Sequence, residues 1–278
     1  MTESPSARAV RRPRPLTRRL RSGIAPLAVA LLLVAAWEAA VRVRQIPPYQ
    51  LAAPSLVAQT VVQQWPALGA AWLVTIQTML AALAAAIVTG LAMAALFAAS
   101  RTIESTLFPY AVVLQVTPLV AVAPFIVMWI GYDRLWLTQL VCAWIVAFFP
   151  LLANTAVGLR SADPGHVDLF RLYGASRWQR LRWLLAPTAL PYFLAGLRIS
   201  ANLALVGAIV AEFVLGPASA RSGLATTILE SQTRADTPLM FAALGIVSLT
   251  GVATYLLTLL ASRALLGRWH ASTQSLEP

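Results

Sequence analysis

Residues 70–99 read AAWLVTIQTMLAALAAAIVTGLAMAALFAA, thirty positions without one charged side chain. A helix needs about 20 apolar residues to cross some 30 Å of hydrocarbon, so Ala70 to Ala99 reads as a transmembrane span. It is rich in alanine, with Gly90 near its middle. Small residues let helices approach closely in lipid, where packing replaces the hydrophobic drive.

Working outward, no Asp, Glu, Lys or Arg occurs between Arg44 and Arg101. Upstream, Ile24 to Val41 is a first span, interrupted only by Glu38. A basic leader before an apolar run also fits a cleaved signal peptide, but the leader is long and no small-x-small site follows, which favours retention as a helix. Between these spans, Leu56, Val57, Val61, Val62 and Trp65 recur at helical spacing among polar residues, the pattern of a helix lying on a membrane surface. Downstream, a third span is expected over Leu107 to Ile130. Its Pro109, Pro118 and Pro124 free backbone carbonyls, as is tolerated where neighbours or a watery cavity satisfy them. Three further spans are expected at Leu135–Leu159, Leu190–Leu215 and Leu239–Leu260. The fold class is thus an all-α integral membrane protein with six transmembrane helices. It divides into a basic tail (1–23), the first helix (24–46), an extracytoplasmic amphipathic segment (47–69), a five-helix core (70–266) with a loop at 160–189, and a C-terminal tail (267–278).

Composition agrees. Of 278 residues 59% are apolar and 11% charged, against about 25% charged in an ordinary soluble domain. Cys142 is the single cysteine, so no intrachain disulfide or cysteine-rich metal site can form. All 21 basic residues are arginine, which removes the lysine of a Walker loop. Seven arginines precede the first span; with Arg101, the five from Arg160 to Arg182, Arg263 and Arg268, fifteen fall on one side of the membrane and five on the other. Cytoplasmic flanks hold the excess, so both termini are expected in the cytoplasm. Nucleic-acid binding is the poorer account of a +11 charge placed this way.

The loop between the fourth and fifth spans is long, basic and aromatic. A short helix is expected over Val167–Leu172, broken by Gly174, then a second over Ser176–Leu185 capped by Ser176 and stopped by Pro187. Trp178 and Trp183 would anchor this projection near the headgroups.

Here the chain resembles a known family. Asp168-Leu169-Phe170, three residues, Gly174, nine residues and Leu184-Leu185-Ala186-Pro187 are similar to the EAA loop (Glu-Ala-Ala, three residues, Gly, nine residues, Ile-x-Leu-Pro) of permease subunits in ATP-binding-cassette importers. Pro118 to Pro124 followed by Trp129-Ile130-Gly131, then Gly196-Leu197-Arg198-Ile199, Val210-Ala211-Glu212 and Ser222-Gly223-Leu224, resemble the nitrate/sulfonate/taurine branch. Leu51-Ala52-Ala53-Pro54-Ser55 is similar to its Pro-Ser-Pro stretch. The resemblance spans roughly residues 50–265.

It implies a six-helix fold of the type I importer permease kind and a transport subunit, not an enzyme. A separate ATPase would bind the ATP and dock on the loop, with Asp168, Leu169, Phe170, Gly174, Ala175, Ser176, Arg177, Arg180 and Pro187 at or near the contact. A glycine suits the sharp turn such a lever needs. An interfacial loop whose arginines touch lipid phosphate is the plainer alternative. The resemblance further implies a permease homodimer, an extracytoplasmic binding protein that delivers the solute, and no cofactor or metal in this chain. The solute would be a small anion such as a sulfonate, taurine or nitrate, or else a pyrimidine-type vitamin precursor.

Pro118, Pro124, Arg198 and Glu212 are the candidates for the pathway or its gate. Arg198 and Glu212 lie within the fifth span, where an unpaired charge is costly; Arg198 is expected near its cytoplasmic end and Glu212 near the outer one. A gate and a structural hydrogen bond are equally open for Glu212, whereas Glu38 is expected to snorkel to the interface. An intramembrane protease would need a serine and histidine or paired aspartates at depth, but His166, His270 and every aspartate lie outside the spans. A self-sufficient secondary transporter, the stronger rival, normally needs ionisable groups near the midplane.

Overall fold

The computed structural model describes residues 16–216 and 222–267, with side chains from residue 27 onward; the expected tail 1–23 lies largely, and 268–278 wholly, outside the described residues. All the described elements are helices. In chain order they are α1 (Leu16–Val43), α2 (Pro54–Gln63), α3 (Trp65–Ala99), α4 (Arg101–Val116), α5 (Leu119–Ile130), α6 (Leu135–Arg160), α7 (Pro164–Leu172), α8 (Arg177–Arg180), α9 (Ala186–Leu215), α10 (Leu224–Thr233) and α11 (Thr237–Leu266). Among them, four continuous helical stretches are long and apolar enough to cross a membrane: Trp65–Ala99, Tyr132–Arg160, Arg177–Leu215 and Thr237–Leu266.

The chain packs around α6, with α3 on one flank and α9 on the other. Contact is close because the facing residues are small. On α9, Ser200, Ala204 and Ala208 recur every fourth position and are all buried. Ala204 packs with Ala86 and Ala147, and Ala208 with Ala82 and Ala143, alanines of α3 and α6 that are wholly inaccessible. A Cβ added at Gly207 would lie 2.8 Å from Cα of Ala143, so backbone runs against backbone there. Larger side chains fill the ends. Phe97, Phe148 and Leu152 pack near Ala189 at one end, and Leu68, Leu224 and Ile246 pack with Val57 and Val61 at the other.

Three expectations are corrected. The third span is not one rod, because α4 and α5 meet at 104°. The break falls at Thr117, which is extended (φ −66°, ψ 125°), since the ring of Pro118 disfavours helical backbone in the residue before it. Pro109 and Pro124 sit inside helices without breaking them. The second span begins at Trp65 rather than Ala70, since Pro66 needs no amide partner in a first helical turn. Ahead of it, α2 packs on α11 and α3 through Val57 and Val61, and the Thr237 hydroxyl donates to the Tyr49 carbonyl at 2.6 Å.

The third correction concerns Pro187, which does not stop the second loop helix. Arg177–Arg180 continues through a π turn at Leu181–Leu185 into α9. Proline removes an amide donor and crowds the carbonyl four residues back, and widening the preceding turn relieves the crowding without ending the helix. The result is an unbroken segment of 39 residues, Arg177 to Leu215.

Candidate functional site

The α7–α8 elbow is built by local bonds. Asp163 caps α7 by accepting from the Gly165 amide at 2.7 Å. Its far end closes as the Gly174 amide donates to the Arg171 carbonyl and the Ala175 amide to the Phe170 carbonyl, each at 2.9 Å, the paired bonds of a glycine-terminated helix. Gly174 has φ +65°, a left-handed conformation costly to any residue with a Cβ. Ser176 then opens α8 with a capping box: the Gln179 amide donates to Ser176 Oγ (3.2 Å), and the Ser176 amide donates to Gln179 Oε1 (2.8 Å). Asp168 is exposed and pairs with Arg171 at 3.1 Å.

Five of the nine expected loop residues line two clefts. Leu169, Phe170 and Ala175 line one of about 350 Å³ with Tyr173 and Trp183. Arg177 and Arg180 line another of about 420 Å³ against Ala95, Ala98 and Ala99 of α3. Nearby, Glu104 of α4 and Arg160 of α6 form an ion pair that ties the bent arm to the base of the elbow.

The pathway candidates do not form one cluster. Pro118 and Pro124 lie on the bent arm. Arg198 sits near the middle of the Arg177–Leu215 rod, its guanidinium 5.7 Å from the centre of the Tyr255 ring of α11, within cation–π range. Glu212 is at the other end of the rod, wholly inaccessible. Thr75 of α3 donates its hydroxyl to Oε1 of Glu212 at 2.9 Å, and the Ala225 amide donates to Oε2 at 2.9 Å. The Leu224 amide donates in turn to Thr75 Oγ1 at 3.0 Å. A carboxylate and a hydroxyl thus satisfy the first amides of α10, whose own N-cap residue, Gly223, has no side chain to do so.

Glu38 acts in the same manner. Rather than only reaching for the interface, it accepts from the Ser55 amide (3.0 Å) and hydroxyl (2.8 Å) in the first turn of α2 and from Arg42 Nε (2.6 Å). Both short helices at this end, α2 and α10, therefore take their caps from carboxylates on the long helices α1 and α9. Thr75 and Gly223 were not among the residues singled out as site candidates; the hydroxyl in an uncharged span and the Ser-Gly-Leu motif were the signals available.

This arrangement, a bundle with a stiff elbow at one end and carboxylate-capped helices at the other, has known counterparts. The family described as the binding-protein-dependent transport system inner membrane component matches residues 86–267. The chain belongs to that family. It is a multi-pass inner-membrane permease subunit of an ATP-binding-cassette importer and a transport component rather than an enzyme. The family works with an ATP-hydrolysing subunit and a solute-binding protein. The riboflavin transport system permease protein RibX of Chloroflexus aurantiacus is 37% identical, with 89% of this chain and 90% of that protein covered. The formylaminopyrimidine transport permease protein ThiX of Halalkalibacterium halodurans is 31% identical over 84% of this chain and 92% of that one. The permease also shares its fold with a crystal structure of an amino acid ABC transporter with histidines, at TM-score 0.61 and 19% identity, covering 74% of this chain and 97% of that one.

Proposed function

We propose that this permease imports a flat, uncharged nitrogen heterocycle of the flavin or pyrimidine kind, handed over by an extracytoplasmic binding protein. In this reading α1 and the bent α4–α5 arm bring the spans to six, and both termini and the α7–α8 elbow face the cytoplasm. The fifteen-to-five division of arginines supports that orientation. Two copies form the channel, and a separate ATPase, which binds the ATP, docks on each elbow through Asp168, Leu169, Phe170, Gly174 and Ala175. Ser176, Arg177, Arg180 and Pro187 support that contact from behind.

The observation that carries the mechanical part is the continuity of α8 with α9. At 1.5 Å per residue its 39 residues extend about 58 Å, so movement imposed at the elbow reaches the Glu212 end without crossing a flexible joint. Pro118 and Pro124, on the bent arm, and Arg198 and Glu212, on the rod, then bound the pathway or its gate. The heterocycle is supported by two relatives, 37% and 31% identical along most of their length, each named for such a solute. A small anion of the sulfonate, taurine or nitrate kind is the second reading, and Arg198 favours it: it is the one basic side chain within the expected spans, and its Nε has no hydrogen-bond partner among the described residues.

The test is solute uptake by proteoliposomes containing the permease, its ATPase and its binding protein. ATP-dependent uptake of riboflavin or a formylaminopyrimidine is expected. Uptake of taurine or nitrate alone would replace the heterocycle with the anion, and uptake without the ATPase would remove the importer mechanism altogether.

A further inference from the structure

Within the 35-residue apolar helix α3, Gln77 is exposed. An amide turned to hydrocarbon has nothing to bond with, so a polar side chain at that depth belongs on a face that meets water or protein rather than lipid. Gln77 opens onto a cavity of about 150 Å³ between α3 and α6, lined also by Thr78, Trp136 and Gln139. Gln139 is 1% exposed, and its amide nitrogen has no hydrogen-bond partner among the described residues. Buried amides are almost always paired, so this one lacks something. Thr78 donates its hydroxyl to the Val74 carbonyl at 3.1 Å and keeps acceptor capacity toward the cavity.

The geometry points to this cavity as a solute subsite on the pathway, in which Gln77 and Gln139 read the polar edge of a heterocycle and Trp136 stacks on its face. The inference rests on the solute class proposed above and assigns to it the residues that recognise it. A glutamine side chain offers a donor and an acceptor side by side, the pattern that matches the adjacent acceptor and donor on a pyrimidine or purine edge. An indole supplies the flat surface on which such rings stack. Trp136 is 53% exposed and so free to do this. No lining side chain is cationic, as an anion would require, and the volume suits one ring at a time.

Uptake of riboflavin and of a formylaminopyrimidine is to be compared in the full importer carrying Gln77→Leu, Gln139→Leu or, as a control on α2 away from the cavity, Gln63→Leu. Loss of one net hydrogen bond corresponds to roughly a fivefold to tenfold effect, so each cavity variant should raise KM for uptake by about that factor while the control stays at the wild-type value. Wild-type import with neither cavity variant impaired would overturn the subsite but leave the solute class standing. Import of taurine or nitrate to the exclusion of both heterocycles would overturn both. Should a leucine variant fail to insert, Gln77→Cys decides: a water-soluble maleimide should modify it, and saturating riboflavin should slow that modification at least threefold. No modification, or a rate indifferent to riboflavin and to a formylaminopyrimidine alike, refutes the subsite.

Discussion

Replacing Gly223 with alanine tests the carboxylate cap of α10 without touching the carboxylate. The backbone at Gly223 (φ −95°, ψ −168°) is extended and open to any residue, so the effect is steric. An added Cβ would lie 2.3 Å from Oε1, 2.4 Å from Cδ and 2.4 Å from Oε2 of Glu212, and ordinary contact requires the carboxylate to retreat by about 1 Å. The Thr75 and Ala225 bonds, both 2.9 Å, cannot survive that shift together. Hydrogen bonds to charged groups contribute roughly 1.5–3 kcal/mol each, so loss of one to two of them, partly offset by relaxation, destabilises by about 3 kcal/mol. For a chain of this size 1 kcal/mol moves the melting temperature by about 2–4 °C, giving a fall of about 6–12 °C. Cys142, the only cysteine and wholly buried, allows the melt to be followed in detergent with a thiol-reactive fluorophore. Gly245→Ala is the control, since a Cβ there meets nothing within 4 Å. A Gly223→Ala protein that melts within a degree of wild type would show that Glu212 does not sit against α10.

Three other outcomes are expected. Gly174→Val forces a β-branched residue to φ +65° and should leave the chain inserted while reducing ATP-driven uptake about tenfold, the left-handed penalty alone being ~1–2 kcal/mol; normal uptake would count heavily against the elbow as a lever. Ser176→Cys should react with a membrane-impermeant maleimide in inside-out vesicles and not in intact cells, and labelling of intact cells would reverse the orientation. Glu38→Ala removes the acceptor for both Ser55 donors and should cost about 1 kcal/mol, as loss of a cap does, read as amide exchange about fivefold faster in the first turn of α2; unchanged exchange there would mean that α2 does not depend on α1.

The long spans were legible because lipid imposes a length and a composition that few other environments tolerate. The elbow was legible for a different reason: its Ser176 cap and Gly174 turn are closed by residues within five positions of one another. What escaped was settled at longer range or by competition between like signals. Three prolines between Leu107 and Ile130 look alike in sequence, yet only Pro118 breaks the helix, while Pro109 and Pro124 are carried within one. Pro187 reads as a stop, but the π turn before it absorbs the fault. The Glu212–Thr75 bond joins residues 137 positions apart, and no local pattern announces it. Glu38 and Ser55, 17 apart across a turn of chain, are hidden for the same reason.

The π turn at Leu181–Leu185 also fixes an angle. One residue of an α-helix corresponds to about 100° of rotation, so the extra residue held in that wide turn sets the compass bearing of the elbow relative to every side chain further along the rod. Deleting a single residue there would leave a smoother cylinder of nearly the same length, with its handle swung round toward the wrong neighbour.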